Sequence, residues 1–184
     1  MNRKEAIHFI SILLGGTLVG ANAFLAGCTS TGTNGFNQKD IAYLDEIADT
    51  ILPPTKTPGA KAAHTGQFMV RMIEDCYDEK EKAIFRKGMD SLNEIASKKY
   101  KQDFAKLKAT ERHELLVVID NEQKQYTKDK KESDPVHYFR MMKELALLGY
   151  FTSKEGITQA KRHMPVPGKY IGCVPYKKGD KAIA

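Results

Sequence analysis

Only three cysteines occur in the 184 residues, and none stands in a Cys-x-x-Cys-His arrangement, which excludes covalent haem attachment. The sequence also has no Gly-x-Gly-x-x-Gly segment and no Gly-x-Ser-x-Gly elbow, so neither a dinucleotide loop nor a hydrolase nucleophile is encoded in recognisable form. His113-Glu114 begins like a zinc-protease motif, but the position four residues on, which must carry a second histidine on the same helix face, is Val117. His64, His137 and His163 lie in separate segments without ligand spacing, and no metal is assigned. Period-two alternation of β-branched residues and internal repeats are both missing, which argues against a sheet or a solenoid. The one long apolar stretch, from Ile7 to Leu25, is broken by Ser11, Gly15, Gly16, Thr17, Gly20 and Asn22, and falls short of the roughly 20 predominantly apolar residues of a spanning helix.

What that stretch does offer is order: Arg3 and Lys4 come first, the apolar run follows, and small residues precede Cys28. Basic, apolar and small is the order of a secretory signal. Leu25-Ala26-Gly27-Cys28 resembles the lipobox of bacterial lipoproteins, which implies cleavage before Cys28 and acylation of its thiol. Residues 1–27 are then a signal peptide, 28–39 a Ser/Thr/Gly/Asn-rich tether, and 40–184 the folded domain. Stable anchoring takes more than one acyl chain, and a lipoprotein terminus supplies several. With Cys28 consumed, Cys76 and Cys173 form an even pair in a compartment where disulfides persist, and they are expected to be bonded to each other.

Removal of residues 1–27 leaves 27 basic and 22 acidic residues, a net charge of +5. KKYKQ at 98–102 and KDKKE at 128–132 hold much of the excess, which reads as diffuse charge on solvated helix ends and loops. No nucleic-acid partner is expected outside the cytoplasm; an anionic membrane surface or an acidic partner face suits the charge better.

Five helical stripes follow from the 3.6-residue period. The first runs from Asp40 with Ile41, Leu44, Ile47, Ala48 and Ile51, and stops at Pro53-Pro54; a loop with a Pro58-Gly59 turn leads to the next. The second, from Gln67, carries Phe68, Met69, Met72, Ile73 and Cys76, which sets Cys76 on the buried side. Asp78 caps the third, with Phe85, Gly88, Met89, Leu92, Ile95 and Ala96 inward and its end near Tyr100. Gly88 inside it signals a close helix approach. Thr110 is read as the cap of the fourth, with Leu115, Leu116 and Ile119 inward, and Asp134-Pro135 as the start of the fifth, with Phe139, Met142, Leu145, Ala146 and Gly149 on one face. Ser153 opens a short further helix to Ala160. The Pro- and Gly-rich remainder is an irregular tail. The fold expected is all-α, a bundle of about five or six helices whose tail is pinned by the Cys76–Cys173 disulfide.

Four blocks resemble the gluconate 2-dehydrogenase subunit 3 family: LDEIADTILPPTKTPGAKAAHTGQFMVRMIEDC, FRKGMDSLNEIASKKYKQDFAKLKATERHELL, FRMMKELALLGYFTSKEGI and PVPGKYIGCVPY. The most specific pieces are Ile51-Leu52-Pro53, Thr57-Pro58-Gly59-Ala60, Leu148-Gly149-Tyr150-Phe151 and Tyr170-Ile171-Gly172-Cys173-Val174-Pro175. The resemblance implies a small accessory subunit without a cofactor of its own. Its partner would be a large FAD-bearing dehydrogenase of the glucose-methanol-choline type acting on a sugar or sugar acid, with a cytochrome c subunit to take the electrons. It also implies escort of the folded flavoprotein through the membrane by a twin-arginine leader; Arg3-Lys4 stands where such a leader has two arginines.

No catalytic residue is assigned. Three stretches are the candidates for partner binding: the loop from Pro53 to Gly66, the segment from Leu148 to Phe151 and the tail from Pro165 to Tyr176. Pro53, Pro58, Tyr150, Phe151, Tyr170 and Tyr176 are the apolar or aromatic anchors within them. The alternative is a stand-alone envelope lipoprotein that binds a small ligand or cell-envelope polymer, for which a polar-lined cavity would be the mark.

Overall fold

In the computed structural model, the described residues are 35–183 apart from Pro167, Tyr170 and Ile171. They form five α-helices and two short helical pieces: α1 Gln38–Ile51, α2 Thr65–Cys76, α3 Glu79–Tyr100, a 3-10 turn Phe104–Lys106, α4 Ala109–Asp129, α5 Tyr138–Thr152 and a π turn Gly156–Ala160. No strand occurs among the described residues, so the all-α expectation holds. None of these helices is long and apolar enough to cross a membrane.

The most apolar helix sits at the centre. α5 buries Phe139, Met141, Met142, Leu145, Ala146, Gly149 and Tyr150 and packs against each of the other four helices. Burial on so wide an arc suits a largely apolar helix, which leaves only a narrow strip with Arg140 and Glu144 to water. Phe85 and Leu92 from α3, Ile47 and Leu44 from α1, Ile73 and Met69 from α2 and Leu115 and Ile119 from α4 close around it. α4 and α5 run antiparallel: Lys143 Nζ reaches Asp120 Oδ1 at 2.7 Å and Tyr126 donates to the Pro135 carbonyl at 2.9 Å, so pairs nearer the turn come from later in α4 and earlier in α5.

Helix starts differ from the sequence expectations where a better hydrogen-bond partner is found nearby, upstream for α1 and α4 and downstream for α5. α1 begins two residues before Asp40, because Asn37 accepts from Lys39 and Asp40 N–H while Asp40 accepts in return from Asn37 N–H at 2.9 Å. Phe36 is already packed, edge-on to Phe85 at 6.1 Å and beneath the Arg86 guanidinium. Thr110 lies inside α4 rather than capping it; Glu111 accepts from Lys108 N–H at 2.9 Å and fixes the start two residues earlier. Asp134 does not cap α5, since its carboxylate is engaged by Lys131 N–H at 2.8 Å. The cap is His137, whose Nδ1 accepts from Phe139 N–H at 3.2 Å. Asp78 caps α3 through a reciprocal pair with Glu81 as expected, and Ser153 Oγ accepts from Gly156 N–H at 3.0 Å before the short π turn.

Gly88 answers to a close approach, by a ring rather than a helix backbone: a Cβ there would lie 2.5 Å from the Tyr138 Cβ, with the ring nearer still.

The expected disulfide is absent. Cys76 and Cys173 are both free thiols and both exposed. The buried stripe of α2 runs Thr65, Gly66, Met69, Val70 and Ile73 and stops one turn short of Cys76, the last residue of the helix, so continuing the period overshot the covered part. The tail is fastened by its own backbone instead. Arg162 N–H donates to the Ala182 carbonyl at 2.8 Å, Arg162 and Ile183 form a parallel bridge, and Lys181 Nζ donates to the Gln159 carbonyl at 2.5 Å.

Candidate functional site

The loop between α1 and α2 is organised by three carboxylates on one side of α1. Asp45 Oδ1 accepts from Gly66 N–H at 2.7 Å, Asp49 Oδ1 from Lys61 N–H at 3.2 Å, and Glu46 pairs with the Lys61 ammonium. Asp45 therefore caps α2 from a neighbouring helix, which is needed because the local cap position is His64 in a left-handed conformation without a side-chain bond. Partial burial pushes the Asp45 carboxyl above its ordinary value despite that hydrogen bond. Glu46 goes the other way: burial raises it, but Lys61 and Arg112 together outweigh burial and hold it below the ordinary glutamate value.

Loop and core then meet at the C-terminal end of α5. Tyr150 is buried and donates its hydroxyl to the Pro58 carbonyl at 2.8 Å, across 92 residues of sequence. Ala60 is fully buried, and its carbonyl accepts from the Thr65 hydroxyl at 2.8 Å and from the Thr65 N–H. Gly149 lets α5 settle on α2, since a Cβ there would lie 2.6 Å from the Phe68 ring and 3.1 Å from Thr65 Cγ2.

Of the anchors expected for partner binding, Tyr150 is thus a core residue and Pro58 is its half-buried acceptor. Phe151 is half-buried, edge-on to Tyr150 at 5.2 Å and under the Lys161 ammonium. Pro53 is exposed and Tyr176 is 76 % exposed. Tyr170, Cys28, Arg3 and Lys4 lie outside the described residues. Within the offered stretches Leu148 on α5 is 46 % exposed, and Val166 and Val174 of the tail are more exposed still; outside them the exposed apolar residues include Val117 and Val118 on α4 at 44 % and 57 %. α4 gave little warning of them because its apolar residues occupy both faces.

The concavities open to solvent include two of moderate size. One, of about 540 Å³, lies along α1 and α3 and is lined by Asp40, Tyr43, Glu46, Asp90, Asn93 and Asp103 among others. Tyr43 donates to the Met89 carbonyl at 3.3 Å there, and burial pushes its hydroxyl far above the ordinary range. The other, of about 780 Å³, is lined mainly by the folded-back tail. Among the described residues no three His, Cys, Asp or Glu side chains gather as metal ligands would.

The family model described as Gluconate 2-dehydrogenase subunit 3 matches residues 38–168. The chain belongs to the gluconate 2-dehydrogenase subunit 3 family. No curated protein and no solved structure matches it. The family name is that of a subunit, so the chain is of the accessory-subunit type found in multi-subunit dehydrogenases. Within the matched span, Thr57-Pro58-Gly59-Ala60 and Leu148-Gly149-Tyr150-Phe151 are the two halves of the Tyr150–Pro58 junction. Both pieces thus meet in the interior of the fold through Tyr150 and Pro58.

Proposed function

We propose that the chain is the non-catalytic small subunit of a periplasm-facing, FAD-dependent sugar or sugar-acid dehydrogenase, which it escorts and anchors. FAD belongs to the large glucose-methanol-choline-type partner, and a cytochrome c subunit receives its electrons. The family match over residues 38–168 carries this reading. The anchor is acyl lipid on Cys28 at the periplasmic side of the cell envelope, with residues 1–27 removed and residues 28–39 as a tether. Docking uses exposed apolar side chains, for which Leu148, Val117 and Val118 are the best placed, since each offers apolar area to water at no cost to the core. Export with the folded partner uses the leader that begins Arg3-Lys4.

The test is purification of the tagged full-length protein in mild detergent from its host, with mass spectrometry and a flavin absorbance scan of the eluate. A large FAD protein is expected to co-purify, and Leu148→Asp is expected to reduce its recovery at least about tenfold while leaving helix content unchanged; a charge forced into an interface core costs several times the ~1.4 kcal/mol that tenfold represents. A colourless eluate from cells that express the flavoprotein would overturn the reading. Cys28→Ser is expected to release the complex from the membrane or to leave the leader uncut, and unchanged processing and retention would remove the lipid anchor. A ligand-binding lipoprotein is the second reading, and the cavity under the tail is the observation in its favour.

A further inference from the structure

The net charge of this protein is concentrated in its tail. Residues 161–184 carry Lys161, Arg162, Lys169, Lys177, Lys178 and Lys181 against Asp180 alone, a net +5 out of the +6 of the whole chain. The runs at 98–102 and 128–132, read from sequence as the main holders of the excess, are offset by acidic residues elsewhere in the body, which leaves residues 1–160 at +1. This charged segment is a closed loop. The Arg162 backbone meets Ala182 and Ile183 at its neck, and a turn from Lys177 to Asp180 rounds its far end, with Gly179 at φ 99° and Asp180 Oδ2 accepting from Lys177 N–H at 2.8 Å.

The open cavity of about 780 Å³ along this loop is lined by Lys161, Arg162, His163, Asp180 and Lys181, with Tyr176 on its wall. That volume lies within the range of small-molecule sites. Asp180 is engaged by the turn. The guanidinium of Arg162 makes no ion pair with any described residue. Lys161 and Lys181 line the same cavity, their ammonium groups held over the Phe151 ring and on the Gln159 carbonyl, and neither contact neutralises their charge. A guanidinium without an ion pair beside two such charges suits a multiply charged oxyanion, which accepts forked N–H bonds from arginine and point-charge attraction from lysine.

We propose that the tail cavity is a binding site for a phosphate group, with Arg162 as its principal donor and Lys161 and Lys181 as supporting charges. Its lining runs from Thr158 to Ile183, with Lys161 and Arg162 inside the residues matched by the family model and Lys181 beyond them; a phosphate site here does not require the dehydrogenase-subunit reading, since charge and geometry alone support it. The phosphate can come from a phospholipid headgroup, which a membrane-tethered chain would meet, or from a soluble phosphorylated compound. The shared chemistry fixes the site, and the source is decided by experiment.

The experiment is calorimetric titration of the full-length protein in a non-ionic detergent with inorganic phosphate, and separately with a short-chain phosphatidylglycerol and a short-chain phosphatidylcholine. Saturable binding of inorganic phosphate, competed by phosphatidylglycerol, is expected. The tighter of the two identifies the source, and preference for the anionic over the zwitterionic lipid separates headgroup charge from acyl-chain binding. Arg162→Gln keeps the backbone bond to Ala182 and is expected to weaken binding about tenfold, the loss of one contact of ~1.4 kcal/mol. Asp180→Asn, whose amide oxygen can still close the turn, is expected to strengthen binding several-fold. Lys98→Gln, in the basic run at 98–102, is expected to change nothing. Absence of saturable binding, or affinity that Arg162→Gln and Lys98→Gln affect equally, would overturn the proposal.

Discussion

Tyr150→Ala is expected to destabilise the isolated chain by about 3–5 kcal/mol, the range for emptying a large aromatic from a packed core. Tyr150→Phe should cost about 1–3 kcal/mol, because it leaves the ring in place and strands the Pro58 carbonyl, half-buried, without its 2.8 Å donor. Both values are to be read by urea denaturation of the purified protein without partner. The ratio between them is informative. Were Tyr150 a docking residue, Tyr150→Phe would weaken recovery of the proposed flavoprotein partner and leave the midpoint unmoved. As a core residue it should move the midpoint, and the partner should be lost only as the fold is lost. The effect of Tyr150→Phe should also be local: the released Pro58 carbonyl belongs to the loop before α2, so amide protection should fall first at Ala60 and Thr65, whose N–H groups donate to Leu52 and Ala60.

The contrast between these residues and those that sequence reasoning placed correctly is one of range. The α3 stripe of Phe85, Gly88, Met89, Leu92 and Ala96 was legible because a helix repeats its own period, and each of these residues is buried. Asp78 was legible because its partner Glu81 is three residues away. Nothing within a few residues of Tyr150 announces Pro58, and nothing near Glu46 announces Arg112, 66 residues on. Two local signals misled for reasons that are themselves long-range. Asp134-Pro135 has the form of a helix start, but the chain must first make a turn in which Lys131 takes the Asp134 carboxylate and Tyr126 of α4 takes the Pro135 carbonyl. Cys76 continues the α2 period faithfully, and the period carries no mark of where the covering helices end.

The three stretches offered as partner-binding surfaces divide in the same way. Tyr150 and Pro58 stand out in sequence as aromatic and proline residues within family-like segments, and those properties serve the interior. Leu148, two residues before Tyr150, points to water. On a helix a two-residue step turns the side chain by roughly 200°, so one short motif supplies both a core anchor and an exposed apolar residue. The segment therefore carries two separable properties, which a substitution at each position tells apart: Tyr150 through stability, and Leu148 through the docking proposed for it.

Glu46→Gln should produce the other large change in stability, about 2–3 kcal/mol at neutral pH. Glu46 of α1 receives the Arg112 guanidinium of α4 on one oxygen and the Lys61 ammonium of the α1–α2 loop on the other. The Glu46 and Arg112 side chains are only 21 % and 17 % exposed, and Arg112 Nε is already buried without a partner. Neutralising Glu46 leaves a guanidinium with little water and no counter-charge, and breaking such a pair from one side costs about 3–5 kcal/mol when fully buried, less here because water reaches both groups. The pH dependence follows from the direction of the shifts. Glu46 is held below its ordinary 4.5, burial being outweighed by its two cations, and Asp120 below its ordinary 3.8 for the same reason, with Lys124 and Lys143 as the cations. A depressed carboxyl stabilises the fold fully above its unfolded value and loses that contribution as pH falls through its folded value. Asp45, raised by burial, acts in the opposite sense: the folded state takes up its proton first, so falling pH relieves a cost there. The wild-type protein should therefore lose stability below about pH 4.5, partly offset by Asp45, and Glu46→Gln should flatten that acid limb. Urea midpoints from pH 7 to pH 3 for wild type, Glu46→Gln, Arg112→Gln and the double variant provide the check. The double variant should be less destabilised than the two single changes added together, since the second removes the charge the first left unpaired. Strict additivity, with an unchanged acid limb, would show that Glu46 and Arg112 do not act as a pair.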